Sequence, residues 1–157
     1  MRVGIGYDIH KLVKGKKLVL GGVRVPFHKG LSGHSDADVL LHAICDAMLG
    51  AASLSDIGTF FPDTDSRYKD IKSEKLLRKV KALITQKKLS VANIDTIIIA
   101  GRPRLQPFVS DIRKNIASIL DVPEYAISVK TKTAQGIGPS GRGLTVEAFS
   151  VVTLRGR

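Results

Sequence analysis

The stretch that decides the fold is the first ten residues, MRVGIGYDIH, 1–10, because two kinds of residue alternate along it. The odd positions are apolar: Val3, Ile5, Tyr7 and Ile9. The even positions are small or polar: Gly4, Gly6, Asp8 and His10. A period of two is typical of a β-strand. The pattern predicts a strand over about 2–9 and brings the Asp8 carboxylate and the His10 imidazole to one face.

Length and composition indicate how many domains the chain forms and what kind of core it has. The chain has 157 residues and is 43% hydrophobic, which suits one globular domain over 1–157 with a substantial core. Only 5% of the residues are aromatic, so the core must be mainly aliphatic.

The single cysteine, Cys45, cannot form an internal disulfide. Its apolar neighbours predict a buried thiol in a reducing compartment. A catalytic thiol is the alternative, although no basic residue adjoins it in the sequence. We find no signal-peptide pattern and no apolar run near the ~20 residues that cross a bilayer, so we expect a cytoplasmic protein without membrane contact.

The chain is strongly basic, with 25 Lys and Arg against 14 Asp and Glu and a net charge of +11. Such a charge attracts polyanions, including phosphorylated metabolites and nucleic acid. The basic residues cluster around Gly15 and along a predicted amphipathic helix. This distribution is also expected if the charges only solvate a turn and a helix face. A nucleic-acid-binding module is the rival interpretation, but the chain lacks the aromatic residues that such modules usually carry between their basic residues.

The remaining chain predicts three helices and further strands. Ser35, with Asp38 three residues later, predicts the cap of a helix over 36–51; the other helices are expected over 73–87 and 108–120. Strands are expected at 18–25 as a hairpin, 94–100, 126–133 and 145–154. This order favours an α+β fold, a mixed β-sheet with three helices layered on one face. We assign Gly4, Gly6 and the Thr/Glu/Phe side of the last strand to the other face of the sheet. No predicted helix covers that face, so we expect oligomerisation to cover it.

A third polar residue can join Asp8 and His10. Asp38, His42 and Asp46 follow at steps of four residues, so they lie along one side of the first helix. Two histidines and one carboxylate with an open position are typical of a catalytic zinc site, and either helix aspartate could accept the second ring N–H of a histidine ligand. The alternative is that the histidines are merely packed or exposed.

Three loops carry further candidates for binding. GHSD, 33–36, precedes a helix whose free N–H groups can bind phosphate, or it is an ordinary cap. DIGTFFPDTD, 56–65, offers carboxylates and apolar rings to a polyol, or it is a solvated surface turn. KTKTAQGIGPSGRG, 130–143, has the glycines of a phosphate cradle but not the order of a Walker motif.

Taken together, GYDIH, HSDADVLLHAICDAMLGAASLSDIG, FFPDTD and the KT-rich strand followed by GRG resemble the 2-C-methyl-D-erythritol 2,4-cyclodiphosphate synthase family. The resemblance spans essentially the whole chain, with the motifs in the family's order and spacing. It implies an enzyme of the non-mevalonate isoprenoid pathway, a phosphorus–oxygen lyase that converts 4-diphosphocytidyl-2-C-methyl-D-erythritol 2-phosphate into the cyclic diphosphate and CMP.

The resemblance also implies a role for individual residues. Zinc would be held by Asp8, His10 and His42, and magnesium would assist. His34 and Thr133 would donate hydrogen bonds at the transition state. The substrate would be contacted by Asp8, His10, His34, Ser35, Asp56, Ile57, Gly58, Phe61, Asp63, Asp65, Ala100, Arg104, Leu105, Gln106, Lys132, Thr133, Ala134, Gln135 and Arg142. Members of the family are homotrimers with sites between subunits, which would cover the open sheet face.

The chain departs from the family pattern at three positions. Gln135 stands where a glutamate commonly helps to hold magnesium, and a neutral amide is a weaker ligand for that ion. Pro139 replaces a usual aromatic residue, and Arg104 replaces a frequent lysine. A metal-dependent phosphohydrolase that uses the same triad is a further alternative. Its product distinguishes it, because such an enzyme would release inorganic phosphate instead of a cyclic product.

Overall fold

The structure is a computed structural model, and it describes residues 1–156. A five-stranded sheet in the order β4-β1-β7-β5-β6 and a small two-stranded sheet, β2-β3, form its β-structure. In the large sheet β5 and β6 are parallel and the other neighbours antiparallel, as predicted for a mixed sheet. The strands are β1 (Arg2–Lys14), β2 (Leu18–Leu20), β3 (Val23–Val25), β4 (Lys29–Leu31), β5 (Leu89–Ala100), β6 (Ile127–Lys132) and β7 (Thr145–Gly156).

Three long helices and two single-turn helices accompany the sheet. They are α1 (Val39–Ala51), α2 (Ile57–Phe60), α3 (Ser73–Gln86), α4 (Val109–Leu120) and α5 (Gly138–Gly141). The three long helices are the three that the sequence predicts. Their apolar stripes pack with the buried residues of β5 and β7 in one core cluster. No helix within residues 1–156 is both long and apolar enough to span a bilayer.

The predicted start of α1 is wrong by three residues. Ala37 has a left-handed backbone, with φ of 56°, which breaks the helix that we expected from residue 36. The cap is Asp38, whose carboxylate accepts from the backbone N–H of Leu41 at 3.1 Å. The Ser35 hydroxyl oxygen accepts from Ala37 N–H instead.

Asp38 also accepts hydrogen bonds from the backbone N–H groups of Gly21 and Gly22, so this residue joins the β2–β3 turn to α1. These bonds compensate in part for complete burial, which raises the pKa of Asp38 to about 6.

The glycine series of β1 lies beneath α1, which contradicts our assignment of Gly4 and Gly6 to the uncovered face. A Cβ at Gly4 would lie 2.0 Å from the carbonyl oxygen of Ala47, and one at Gly6 would lie 1.9 Å from that of Ala43. No side chain fits in that space. The glycines allow the helix backbone to rest directly on the strand.

The uncovered face of the sheet carries the apolar series of β1. Val3 is 67% exposed and Ile5 is 72% exposed. Tyr7 packs on Phe149 of β7, with 4.7 Å between the ring centroids. The predicted side of the last strand does lie here, since Glu147, Phe149 and Thr153 are paired with β1 residues of this face.

Cys45 is fully buried in α1, as predicted. Burial, followed by the charges of Asp46 and Asp38, raises the pKa of its thiol well above the ordinary value. A thiol that remains protonated is a poor nucleophile, which argues against the catalytic alternative.

Candidate metal and substrate site

Asp8, His10 and His42 come together where β1 meets α1. The two-residue spacing on the strand places Asp8 and His10 on the helix side, and the close approach over the glycines brings His42 to them. Asp8 Oδ2 lies 2.7 Å from His10 Nε2 and 3.0 Å from His42 Nδ1, and the two ring nitrogens are 3.2 Å apart. The spacing prediction that these three side chains converge is confirmed.

The second nitrogen of each imidazole has a partner in another part of the chain. His10 Nδ1 lies 2.9 Å from the carbonyl oxygen of Ser32, which can only accept, so Nδ1 donates a proton there and Nε2 is the nitrogen left to bind a metal. His42 Nε2 lies 2.9 Å from Ser73 Oγ and 3.1 Å from Ser35 Oγ.

The expectation that Asp38 or Asp46 would accept a histidine ring N–H is wrong. Asp38 is directed at the backbone of Gly21, Gly22 and Leu41. Asp46 accepts from the backbone N–H of Ile57 at 2.8 Å. Both carboxylates satisfy backbone donors because these would otherwise be unpaired at a turn and at a helix start.

The triad is polarised even as protein alone. Burial would raise the pKa of Asp8, but the polar contacts of its carboxylate with the His10 and His42 rings outweigh burial and lower that pKa well below its usual range. Burial would lower the pKa of His10, whereas the hydrogen bond and charge of Asp8 raise it. Asp8 is therefore an anion at neutral pH.

This donor set fits a zinc ion. One carboxylate and two imidazoles are common zinc ligands, and ligand atoms ~2.0 Å from a tetrahedral ion are ~3.3 Å apart. The observed separations of 2.7, 3.0 and 3.2 Å need only a small expansion. A three-ligand set also leaves a fourth position for a substrate oxygen.

The triad opens into a cavity of about 370 Å³, which we call cavity 1. Many predicted residues line it: Asp8, His10, His34, Ser35, His42, Ile57, Gly58, Phe61 and Asp63. His34 Nε2 is buried and has no hydrogen-bond partner within residues 1–156. A buried imidazole nitrogen without a partner is costly, so it is available to a ligand in this cavity.

Tyr68, which the sequence did not predict, extends the aromatic wall of cavity 1 beyond the predicted Phe61. Tyr68 lines the cavity and meets Phe61 edge to face, with 5.3 Å between ring centroids. Lys79 Nζ lies 5.0 Å from the Tyr68 ring centroid. The wall thus combines apolar rings with a cation from α3.

Two predicted substrate residues, Asp56 and Asp65, make local contacts outside the cavity lining. Asp56 caps α2 by accepting from Thr59 N–H at 2.8 Å, and that hydrogen bond lowers its pKa. Asp65 forms an ion pair with Arg67, whose hydrogen bonds lower the pKa of Asp65.

A second cavity, cavity 2, of about 870 Å³ lies at the ends of the parallel strands β5 and β6. Its lining includes the predicted residues Ala100, Arg104, Leu105, Gln106, Lys132 and Thr133. Phe27, after β3, forms part of the wall and was missed. Its neighbours in the sequence, Pro26 and His28, gave no signal that it would reach this strand end.

The loop after β6 holds the remaining predicted residues. Ala134 and Gln135 have left-handed backbones, with φ of 57° and 52°, and Gln135 is exposed. Gly101 donates to Ser140 O at 2.8 Å, so the loop is fixed to the end of β5. Ala134, Gln135 and Arg142 line neither cavity. His34 and Thr133, both predicted to be catalytic, line different cavities of the single chain.

Comparison with known proteins agrees with this geometry. The YgbB family model matches residues 1–155. A curated relative from Clostridium acetobutylicum, 2-C-methyl-D-erythritol 2,4-cyclodiphosphate synthase, is 52% identical over 98% of this chain and 99% of its own.

Solved structures match equally well. The bifunctional IspDF from Campylobacter jejuni has a TM-score of 0.96 at 37% identity, over 99% of this chain and 42% of that longer chain. A CDP-bound 2C-methyl-D-erythritol-2,4-cyclodiphosphate synthase has a TM-score of 0.91 at 33% identity, over 98% of this chain and 100% of its own. With the Asp8, His10 and His42 cluster, the family match and these relatives in agreement, the chain belongs to the YgbB family of 2-C-methyl-D-erythritol 2,4-cyclodiphosphate synthases, and is therefore an enzyme.

Proposed function

We propose that the enzyme converts 4-diphosphocytidyl-2-C-methyl-D-erythritol 2-phosphate into 2-C-methyl-D-erythritol 2,4-cyclodiphosphate and CMP, as a phosphorus–oxygen lyase of the non-mevalonate isoprenoid pathway. The observation that carries the proposal is the convergence of Asp8, His10 and His42 at the wall of cavity 1, beside the unpartnered His34. A cyclisation between two phosphates needs concentrated positive charge and hydrogen-bond donors in one place.

Each part of the substrate has a matching surface. Cavity 1 combines Asp63 with Ile57 and Phe61, which suits the hydroxyls and carbons of the methylerythritol unit. Cavity 2 offers Lys132, Arg104 and backbone groups at the strand ends, which suits a cytidine nucleotide. The CDP complexes of two structural relatives support a cytidine diphosphate ligand.

The reaction is a phosphoryl transfer within one molecule. An oxygen of the 2-phosphate forms a bond to the β-phosphorus while the bond from that phosphorus to the bridging oxygen breaks, and CMP leaves with the electron pair. Atoms and charge balance without water. His34 and Thr133 donate hydrogen bonds to the oxygens that gain charge, while Lys132 and Arg142 offset the repulsion between the phosphates.

Asp8, His10 and His42 hold zinc in this proposal. When bound, zinc supplies a Lewis-acid charge that orients a phosphate and withdraws electron density from it. The convergence of His10 Nε2 and His42 Nδ1 on Asp8 Oδ2, with a fourth position left open, supports this role. Magnesium is bound mainly by the substrate's phosphates, since Gln135 contributes no charge.

The magnesium role of position 135 has its own test. We expect Gln135→Glu to lower the Mg²⁺ concentration for half-maximal turnover, because a carboxylate is a stronger ligand for a hard cation than an amide. Titrating Mg²⁺ at fixed zinc for both proteins decides it. Overlapping curves, or a variant that needs more magnesium, would remove position 135 from the magnesium site.

We propose a homotrimer with active sites between subunits. The exposed apolar face of β1 and β7 supports an interface, since contiguous apolar patches commonly mark contact sites. The separation of His34 from Thr133 supports the sharing of a site, because cavity 1 of one subunit can then face cavity 2 of another. Each subunit is a single domain over 1–157, and the lone buried Cys45 supports a cytoplasmic location.

The deciding experiment is phosphorus NMR of the products from the diphosphocytidyl substrate, with zinc and magnesium present. The proposal predicts CMP and a cyclic diphosphate. Inorganic phosphate instead of a cyclic product would favour the phosphohydrolase alternative. No turnover, together with polyanion binding that falls steeply with salt and ignores chelators, would favour the nucleic-acid module.

A further inference from the structure

The aspartate of the HSD motif, Asp36, belongs to none of the roles assigned above. Its carboxylate lies at the start of α3, where Lys72 makes no side-chain cap. Asp36 accepts from the backbone N–H of Ser73 at 3.1 Å and 3.2 Å. The Ser73 hydroxyl also forms a short hydrogen bond to Asp36 Oδ1. A loop carboxylate thus caps a helix that begins 37 residues later in the chain.

This contact decides how Ser73 can interact with His42. A carboxylate can only accept, so the Ser73 hydroxyl donates its single hydrogen to Asp36. The oxygen of Ser73 is then an acceptor for His42 Nε2, which lies 2.9 Å away. Ser73 is completely buried, so water does not compete for this position. A proton on Nε2 leaves the lone pair of the neutral imidazole on Nδ1, the nitrogen that faces Asp8 and His10.

Asp8 favours the opposite arrangement. Its Oδ2 lies 3.0 Å from His42 Nδ1, and in protein without metal a carboxylate there favours a proton on Nδ1. That tautomer has no lone pair on the side where the metal ligands meet. The Ser35 hydroxyl, 3.1 Å from Nε2, can either donate or accept and does not decide the tautomer.

We propose that Asp36 and Ser73 are positioning residues, which hold His42 in the Nε2–H tautomer and keep Nδ1 ready to bind the metal. Metal-binding histidines usually donate their second ring N–H directly to a carboxylate, carbonyl or water. Here the carboxylate acts through a serine hydroxyl that belongs to another helix. The inference rests on the metal role in the proposed function, and it adds the start of α3 to the structures on which metal binding depends.

A purely structural role is the competing explanation, because losing a helix cap costs stability by itself. A measurement of the free energy of unfolding therefore cannot distinguish a positioning role from a purely structural one. The tautomer of His42 and the affinity for zinc can, because neither responds to a loss of cap energy in a protein that remains folded.

The experiment compares metal-free proteins labelled with ¹⁵N-histidine at about pH 8.5, above the ordinary imidazole pKa. In wild type we expect His42 with its proton on Nε2. Ser73→Ala should move His42 toward the Nδ1–H form and weaken zinc binding about 10- to 100-fold in a chelator competition. Ser73→Thr, which keeps the hydroxyl, should stay near wild type.

Ser150→Ala is the matched control. Ser150 is buried in β7, and its hydroxyl has no hydrogen-bond partner within residues 1–156, so its removal should change neither the His42 spectrum nor zinc affinity. If Ser73→Ala does not fold, Asp36→Asn replaces it, since an amide is a weaker acceptor for the hydroxyl. We expect the same change of tautomer and a smaller loss of affinity.

An unchanged tautomer or unchanged zinc affinity in the folded variant would overturn the inference and leave Asp36 as a helix cap only. If the proposed metal role is wrong, the result differs from this one, because the wild-type protein itself would then bind no zinc. Wild type that binds zinc with His42 already in the Nδ1–H form before metal is added would also overturn the inference.

Discussion

The two faces of β1, over its first nine residues (2–10), differ in what they contact. On the side facing α1, there is no room for a side chain at Gly4 or Gly6, and Asp8 and His10 follow beside His42 of the helix. On the other side Val3 and Ile5 remain exposed. The apolar residues in this first part of the strand face away from the core of the chain.

The difference shows that small size, and not apolar character, marks the face that packs on the helix. Ala43, Ala47 and Ala51 follow at intervals of four along α1, and the first two meet the glycines through backbone oxygens. Because the backbones approach so closely, a helix residue can reach the metal ligands of a strand. The exposed apolar face is then free to contact another molecule.

Removing a metal ligand from the covered face should have the largest effect. We expect His10→Ala, like His42→Ala, to abolish turnover and to weaken zinc binding by more than the about 100-fold typical of an outer partner. Metal analysis after dialysis and an assay of CMP release measure both. Gln86→Ala, at the exposed end of α3, is the control. Full zinc occupancy in either histidine variant would sink the assignment of the triad.

Filling the space under α1 should have the next largest effect. Gly6→Val places carbon within 1.9 Å of Ala43 O, so we expect a loss of about 3 kcal/mol or more in the free energy of unfolding. Urea unfolding of the metal-free protein measures it.

Gly50→Ala is a matched control for that glycine. A Cβ at Gly50 has its nearest neighbour at 4.0 Å, so the variant should be equally stable or more stable by up to ~1 kcal/mol. Equal stability of Gly6→Val and wild type would show that helix and strand are not in backbone contact.

A charge on the exposed face should act on assembly and not on the fold. Ile5→Asp places a carboxylate at a position that is 72% exposed in the single chain, so the subunit should fold but sediment as a monomer. Gln86→Asp, at the end of α3, adds the same charge elsewhere and should leave the assembly intact. A wild-type monomer under assay conditions, or an Ile5→Asp variant that remains oligomeric, would contradict the proposed interface.

Removing one hydroxyl from the exposed face should have the smallest effect. Tyr7 donates to Glu147 Oε2 at 3.1 Å, and the contact is exposed. In the monomeric Ile5→Asp background, we expect Tyr7→Phe to change the free energy of unfolding by no more than ~0.5 kcal/mol. A loss above 1.5 kcal/mol, measured by urea unfolding, would mean that this face contributes to the stability of the subunit itself.

Residue spacing predicted the site better than it predicted the elements around it. The two-residue step on a strand places Asp8 beside His10 whatever the fold, and the motifs placed His42 with them. The start of α1 was wrong because Ser35 and Asp38 are both good caps, and the left-handed Ala37 between them decides in favour of Asp38. Propensity alone does not rank two such caps three residues apart.

The sequence by itself determined the alternation of β1, the mixed α+β architecture and the three side chains that could hold a metal ion, because each depends on short repeats or on a recognisable motif. Only the tertiary structure decided which face of β1 meets α1 and that the Ser73 hydroxyl, not Asp38 or Asp46, lies within hydrogen-bonding distance of His42 Nε2. The physical reason is distance along the chain. His42 and Ser73 are 31 residues apart, and local periodicity carries no information on which distant backbones pack closely enough to bring two such side chains into hydrogen-bonding contact.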